Sequence, residues 1–158
     1  MAGAGKSTTG RLLALRLGFA FTDLDGYIQE REGDTIQGIL DRKGAQGLRE
    51  IEEKRLRELD LRRRVIAPGG SIIYSPALME YLMHYSIPVF LDEPFEVLEK
   101  RLQNAPTRGI VGYPEKSLRQ LYDERHPLYA KYAAIIIDPG GKTPGKIAAE
   151  IIARSRLL

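Results

Sequence analysis

The segment Gly3-Ala4-Gly5-Lys6-Ser7-Thr8, leading directly into a helix-like stretch, carries the residue types that hold a polyphosphate. Glycines let backbone N–H groups close around phosphate oxygens that a side chain would keep away. The helix that follows turns its unsatisfied N–H groups and the positive end of its dipole to the same anions. In this arrangement the Lys6 ammonium bridges the β- and γ-phosphates, and the Ser7 hydroxyl is a ligand for Mg²⁺. An incidental lysine in a Gly/Ala-rich helix start is the bland alternative, but Gly-Lys-Ser-Thr at a loop-to-helix junction is rarely accidental. The full pattern is G-x-x-x-x-G-K-[ST], whose first glycine would fall immediately before Met1. The apolar strand expected ahead of the loop, central to such a sheet, is missing too, and its loss would expose neighbouring edges. The sequence therefore reads as an N-terminally shortened form starting at an internal methionine.

Further carboxylates and guanidinium groups follow. Asp23-Leu24-Asp25 ends a short apolar run, where an α/β ligand crevice is expected. Two carboxylates at i and i+2 on an extended segment point to opposite sides and so take different roles. One could hold Mg²⁺ through water while the other accepts a substrate hydroxyl; a helix N-cap plus a surface acid is the alternative. Downstream lie Arg49 in Leu48-Arg49-Glu50-Ile51-Glu52, the turn Pro68-Gly69-Gly70-Ser71, and Arg125 in Arg125-His126-Pro127-Leu128-Tyr129. Taken singly, each arginine reads more naturally as a surface ion-pair partner than as a ligand. His84 and His126 read as structural or surface residues.

These groups need elements to position them. Apolar spacing predicts helices over Gly5–Leu17, Gly26–Leu61 (broken near Gly33 and Gly44), Ser75–Tyr85, Glu93–Leu102, Lys116–Arg125 and Lys146–Leu157. Short apolar runs predict strands over Phe19–Asp23, Val65–Ala67, Ile87–Asp92 and Ala134–Asp138. Asn104–Glu115, polar and Gly/Pro-rich around Arg108, reads as a mobile loop, and Gly140–Gly145 as another loop. Strands alternating with helices argue for an α/β fold in three α/β/α layers around a mostly parallel sheet lacking its first central strand.

The order G-A-G-K-S-T, D-x-D, [F/L]-R-x-x-E, a glycine-rich turn, a loop arginine and R-x-P-L-Y resembles the shikimate kinase family of P-loop kinases over essentially the whole chain. The resemblance implies ATP and Mg²⁺ as cofactors and shikimate, or a similar hydroxylated carboxylic acid, as substrate. By it, Gly3, Ala4, Gly5, Lys6, Ser7 and Thr8 bind the ATP phosphates, Ser7 and Asp23 serve the metal, and Arg101 and Pro144 pack on adenine. Lys6, Asp25 and Arg108 are then catalytic, Arg108 arriving with a lid over about 104–115. Asp25, Arg49, Gly69, Gly70, Ser71 and Arg125 bind the substrate, within a region spanning about 25–60 and the later turns. Two departures stand out. Ser71 replaces the family's third turn glycine, after an unusual Pro68, and Arg108-Gly109-Ile110-Val111 replaces the usual R-P-L-L of the lid. Two other readings stay open: a P-loop kinase for a sugar acid or nucleotide, or a non-catalytic nucleotide-binding paralogue. Asp25 favours a hydroxyl-rich acceptor, and a lid arginine argues against a mere binder.

Size and composition fit this. A chain of 158 residues, 43% hydrophobic and 28% charged, is expected to form one domain. The absence of cysteine excludes disulfides, thiolate zinc sites and cysteine nucleophiles. A net charge of +3 is too small to argue for nucleic acid, and the cluster Arg62-Arg63-Arg64 reads as a solvated face. No apolar run is long enough to span a bilayer. A cytoplasmic monomer with a small-molecule substrate is the expectation.

Overall fold

Four short runs rich in β-branched and aromatic residues form strands, and all of their pairing is parallel. The computed structural model describes residues 1–103 and 109–156. β1 (Ala20–Asp23) lies beside β2 (Arg64–Ala67), with Ala20 opposite Arg64 and Asp23 opposite Ala67. β3 (Val89–Leu91) lies beside β4 (Ile135–Ile137), with Val89 opposite Ile135. Among the described residues no ladder joins the two pairs. The expected α/β class with parallel strands is what the chain adopts.

Seven helices surround these pairs among the described residues: α1 (Lys6–Leu17), α2 (Leu24–Glu32), α3 (Ile36–Arg57), α4 (Pro76–Tyr85), α5 (Phe95–Gln103), α6 (Leu118–Tyr132) and α7 (Pro144–Ser155). Their starts follow the chemistry of capping. Asp23, Thr35, Ser75, Ser117 and Thr143 each accept a backbone N–H of the first turn, which satisfies a donor the helix itself leaves unpaired. Ser117 and Gln120 close a full capping box, and Pro76 and Pro144 stand at first helical positions, where no N–H is needed.

Two apolar clusters divide the interior. One joins α2, α3 and α4 through Leu24, Ile28, Ile39, Leu48 and Leu78; the other joins α1, β3, α5, β4 and α7 through Leu13, Leu91, Leu98, Ile137 and Ile147. Tyr129 of α6 packs against both. Met1 and Ala4 are buried in the second cluster, which seats the phosphate loop on the core.

Two expectations need correction, and one element was not foreseen. The second helix begins at Leu24 instead of Gly26, because Asp23 caps it; Asp25 therefore sits in a helical first turn and not on an extended segment. α6 does not stop at Arg125 but carries Pro127 inside it. Pro127 has no N–H for the carbonyl four residues back, and tertiary contacts hold that stretch in place. His126 Nε2 lies 2.8 Å from Asp92 Oδ1, the Tyr129 hydroxyl donates to the Gly70 carbonyl at 2.7 Å, and its ring stacks 5.2 Å from Phe90. Finally, a 3₁₀ turn at Ile72–Tyr74, unforeseen in the sequence, follows the glycine turn.

The expected break at Gly44 is present: its φ of 68° and ψ of −179° interrupt α3 and redirect the half that bears Arg49 and Glu52. A Cβ there would meet no atom within 4 Å, so any cost of adding one is pure backbone strain. Gly44→Ala is expected to lower unfolding free energy by about 1–3 kcal/mol, read from urea denaturation; an unchanged midpoint would show that the break relaxes freely.

Candidate active site

The phosphate loop takes its shape from two left-handed glycines, Gly3 at φ 75° and Gly5 at φ 81°. Gly5 is also the N-cap of α1 and offers no side chain to its N–H groups. Lys6 curls back along the loop, its Nζ donating to the Met1 carbonyl at 2.8 Å. Beside it the Ser7 hydroxyl donates to Asp23 Oδ2 at 2.6 Å, while Asp23 Oδ1 accepts from Gly26 N at 3.4 Å. Asp23 is thus helix cap and partner of Ser7 at once. A hydroxyl and a carboxylate side by side at a phosphate loop are the hard oxygen donors that Mg²⁺ prefers, so these residues fit that ion.

Two cavities open on either side of this loop, and Gly3 lines both. The larger, about 710 Å³, is lined by Lys6, Ser7, Asp25, Gly69, Ser71 and Arg125 among others. The smaller, about 410 Å³, is lined by Gly5, Thr8, Arg101, Lys142 and Pro144 among others. Arg101 ties α5 to the loop: its guanidinium donates to the Gly3 carbonyl at 2.9 Å and pairs with the buried Glu93 at 2.9 Å.

Charge is concentrated in the larger cavity. Burial lowers the Lys6 ammonium below its usual range, with Asp25 and then Asp23 opposing that and Arg125 adding to it. Burial likewise raises the Asp25 carboxyl, opposed by Lys6 and reinforced by Asp23. Opposite partners across a partly dry site offset part of the desolvation cost, which still dominates for both groups.

Arg125 lies deepest, only 2% exposed. Its Nε donates to the Tyr74 hydroxyl at 3.1 Å, and another guanidinium nitrogen donates to the Val111 carbonyl. The Tyr74 hydroxyl in turn donates to Glu124 at 2.6 Å, and Lys116 pairs with Glu124. Arg49 does not line the cavity; its guanidinium lies 5.7 Å from the Tyr74 ring, whose centre is 5.3 Å from that of Arg125. The two arginines therefore converge on one aromatic ring. Above them, a Cβ on Gly70 would lie 3.1 Å from both Arg125 and the Tyr129 hydroxyl.

The structure brings Lys6, Ser7, Asp23, Asp25, Gly69, Gly70, Ser71 and Arg125 round one cavity, and Gly3, Ala4, Gly5, Thr8, Arg101 and Pro144 round the other. The Ser71 hydroxyl is turned to Glu52, 2.7 and 2.6 Å from its two oxygens. Arg108 and the first part of the lid lie outside the described residues. Further on, Gly109 N donates to Gln37 Oε1 at 3.2 Å, and Val111 is buried. Sequence reasoning missed Glu52, Tyr74 and Tyr129 as site residues. Glu52 and Tyr129 were visible as the last letters of R-x-x-E and R-x-P-L-Y, but Tyr74 carried no signal.

Comparison with known proteins now bears on this geometry. The family model described as shikimate kinase matches residues 2–156. The shikimate kinase of Persephonella marina is 34% identical over 155 residues, covering 98% of this chain and 94% of the relative. That of Paracidovorax citrulli is 37% identical over 142 residues, covering 87% and 78%. Among solved structures, shikimate kinase from Acinetobacter baumannii in complex with shikimate superposes with a TM-score of 0.86 at 34% identity, covering 98% of this chain and 88% of the other. The Aquifex aeolicus shikimate kinase gives 0.84 at 31% identity, with 99% and 92% covered. A phosphate loop flanked by two cavities, with a buried arginine at the foot of one, is thus found in a chain that belongs to the shikimate kinase family.

Proposed function

We infer that this chain is an ATP-dependent phosphotransferase that moves the γ-phosphoryl group of ATP to a hydroxyl of shikimate. The observation that carries the reading is the placement of the Lys6 loop between the two cavities, with Asp25 and Arg125 on the side of the larger. ATP would lie with its base against Arg101 and Pro144 and its phosphates along Gly3–Thr8. The acceptor would occupy the larger cavity, its carboxylate meeting Arg125 and, across Tyr74, Arg49. A guanidinium fork matches a carboxylate in two parallel hydrogen bonds.

The acceptor hydroxyl oxygen forms a bond to the γ-phosphorus while the bond from that phosphorus to the β,γ-bridging oxygen breaks. The electron pair leaves with ADP, and the hydroxyl proton passes to the Asp25 carboxylate. Lys6 follows the charge on the transferring group, and Arg108 is assigned the same task from the lid. Ser7 and Asp23 would hold Mg²⁺, which when bound neutralises phosphate charge. Most of the acceleration in such a site comes from positioning and charge compensation.

A coupled ADP-release assay with ATP and shikimate, with gluconate and a nucleoside monophosphate as comparators, tests the reading; turnover is expected with shikimate alone, and its absence from well-folded protein would overturn it. Lys6→Met is expected to lower kcat about 100-fold or more by removing a preorganised cation. Arg125→Lys, which keeps charge but loses the fork, is expected to cost about 10- to 100-fold in kcat/KM for shikimate while the KM for ATP moves little.

A further inference from the structure

Glu52 is 3% exposed, and among the described residues the one hydrogen-bonding group on its carboxyl is the Ser71 hydroxyl. The two residues are 19 apart in sequence and belong to different elements, the second half of α3 and the start of the 3₁₀ turn. Between this pair and Asp25 lies Gly69. A Cβ built on Gly69 would sit 2.6 Å from Glu52 Oε1 and 2.9 Å from Asp25 Oδ1. Those two carboxyl oxygens thus lie no more than about 5.5 Å apart. Glu52 is therefore a second acidic group facing the space that Asp25 faces, in the wall of the acceptor cavity.

We propose that Ser71 is a positioning residue of the acceptor site: through its hydrogen bond it holds Glu52 as a second carboxylate beside Asp25 under the Gly69–Gly70 turn, ready to accept an acceptor hydroxyl. This deepens the reading of the chain as a shikimate-phosphorylating enzyme and rests on it. Ser71 itself does not reach the acceptor, because its hydroxyl is committed to Glu52.

The groups facing Glu52 are Asp25 from α2, Arg49 from its own helix, Ser71 from the turn and Arg125 from α6, with Tyr129 of α6 above Gly70. Burial raises the Glu52 carboxyl to about 7; the Ser71 bond is the largest opposing influence, Asp25 raises it further, and Arg125 and Arg49 lower it. In the folded chain Glu52 thus keeps a proton that the unfolded chain releases near 4.5. Its contribution to stability is present below that value and is lost as pH rises through about 7. Ionised Glu52, which accepts a hydroxyl, prevails above about 7, so acceptor recognition weakens on the acid side.

Ser71 has φ −87° and ψ −15°, which alanine and glycine both adopt. Removing the hydroxyl takes away a donor to the charged form, so Ser71→Ala and Ser71→Gly should both move the acid limb of kcat/KM for shikimate upward by about one pH unit, a roughly fivefold loss at pH 7 that recovers at higher pH. Glu52→Gln should lower kcat/KM and abolish that limb. Carboxyl ¹³C NMR of the whole apo chain, with Glu52→Gln assigning the signal, should show Glu52 titrating near 7, and higher in the Ser71 variants. Calorimetry of shikimate binding should show affinity falling as that signal protonates. Ordinary titration of Glu52 in the native chain, an unmoved limb in both Ser71 variants, or a loss uniform across pH would overturn the proposal. A native chain that binds shikimate without phosphorylating it would instead count against the catalytic reading, since the carboxyl titration and calorimetry need no turnover.

Discussion

A guanidinium shut away from water is the constraint on which the acceptor half of this molecule depends. An unpartnered cation in the interior is expensive, so the surrounding chain must supply acceptors in fixed places. Arg125 finds them in the Tyr74 hydroxyl and the Val111 carbonyl, and so draws together α6, the 3₁₀ turn and the downstream limb of the lid. Glu124 and Lys116 extend the same network to the surface. A cation already desolvated and immobile needs little rearrangement to meet an incoming carboxylate, and that preorganisation separates it from a surface arginine of the same sequence.

On the nucleotide side the organising element is backbone. Gly3 and Gly5 take conformations that L side chains rarely adopt, and Arg101 clasps the Gly3 carbonyl from α5. The side chains that project from this loop meet their partners at once: Ser7 donates to Asp23, and Lys6 donates to the Met1 carbonyl while feeling the charges of Asp25 and Asp23. The two halves are coupled through Asp23, whose two oxygens serve a helix start and a phosphate-loop hydroxyl together.

What was legible in the sequence was local. Gly-Lys-Ser-Thr, the four short apolar runs and the helices between them all rest on nearest-neighbour chemistry, and they appear within a few residues of their expected places. What was not legible depends on contacts across the fold. Asp25 was expected on an extended segment, but the cap formed by Asp23 competes with strand extension and wins. The sixth helix was expected to end at Arg125, yet the bonds of His126 and Tyr129 to other elements carry α6 through Pro127. Arg49 was expected to clamp the substrate carboxylate together with Arg125, and that both guanidinium groups lie against the Tyr74 ring could not be read from the sequence. Glu52 closes the R-x-x-E motif, but its burial against Ser71 could not be read from the sequence.

Gly69 and Ser71 belong to one turn but respond differently to substitution. At position 69 even a methyl group would strike two acidic oxygens on different helices, so both carboxyls would have to shift to admit it. At position 71 the backbone is permissive, and the only thing at stake is one hydroxyl. A change at the third place of the turn thus costs one hydrogen bond, whereas a side chain at the first must displace the carboxyls of two helices.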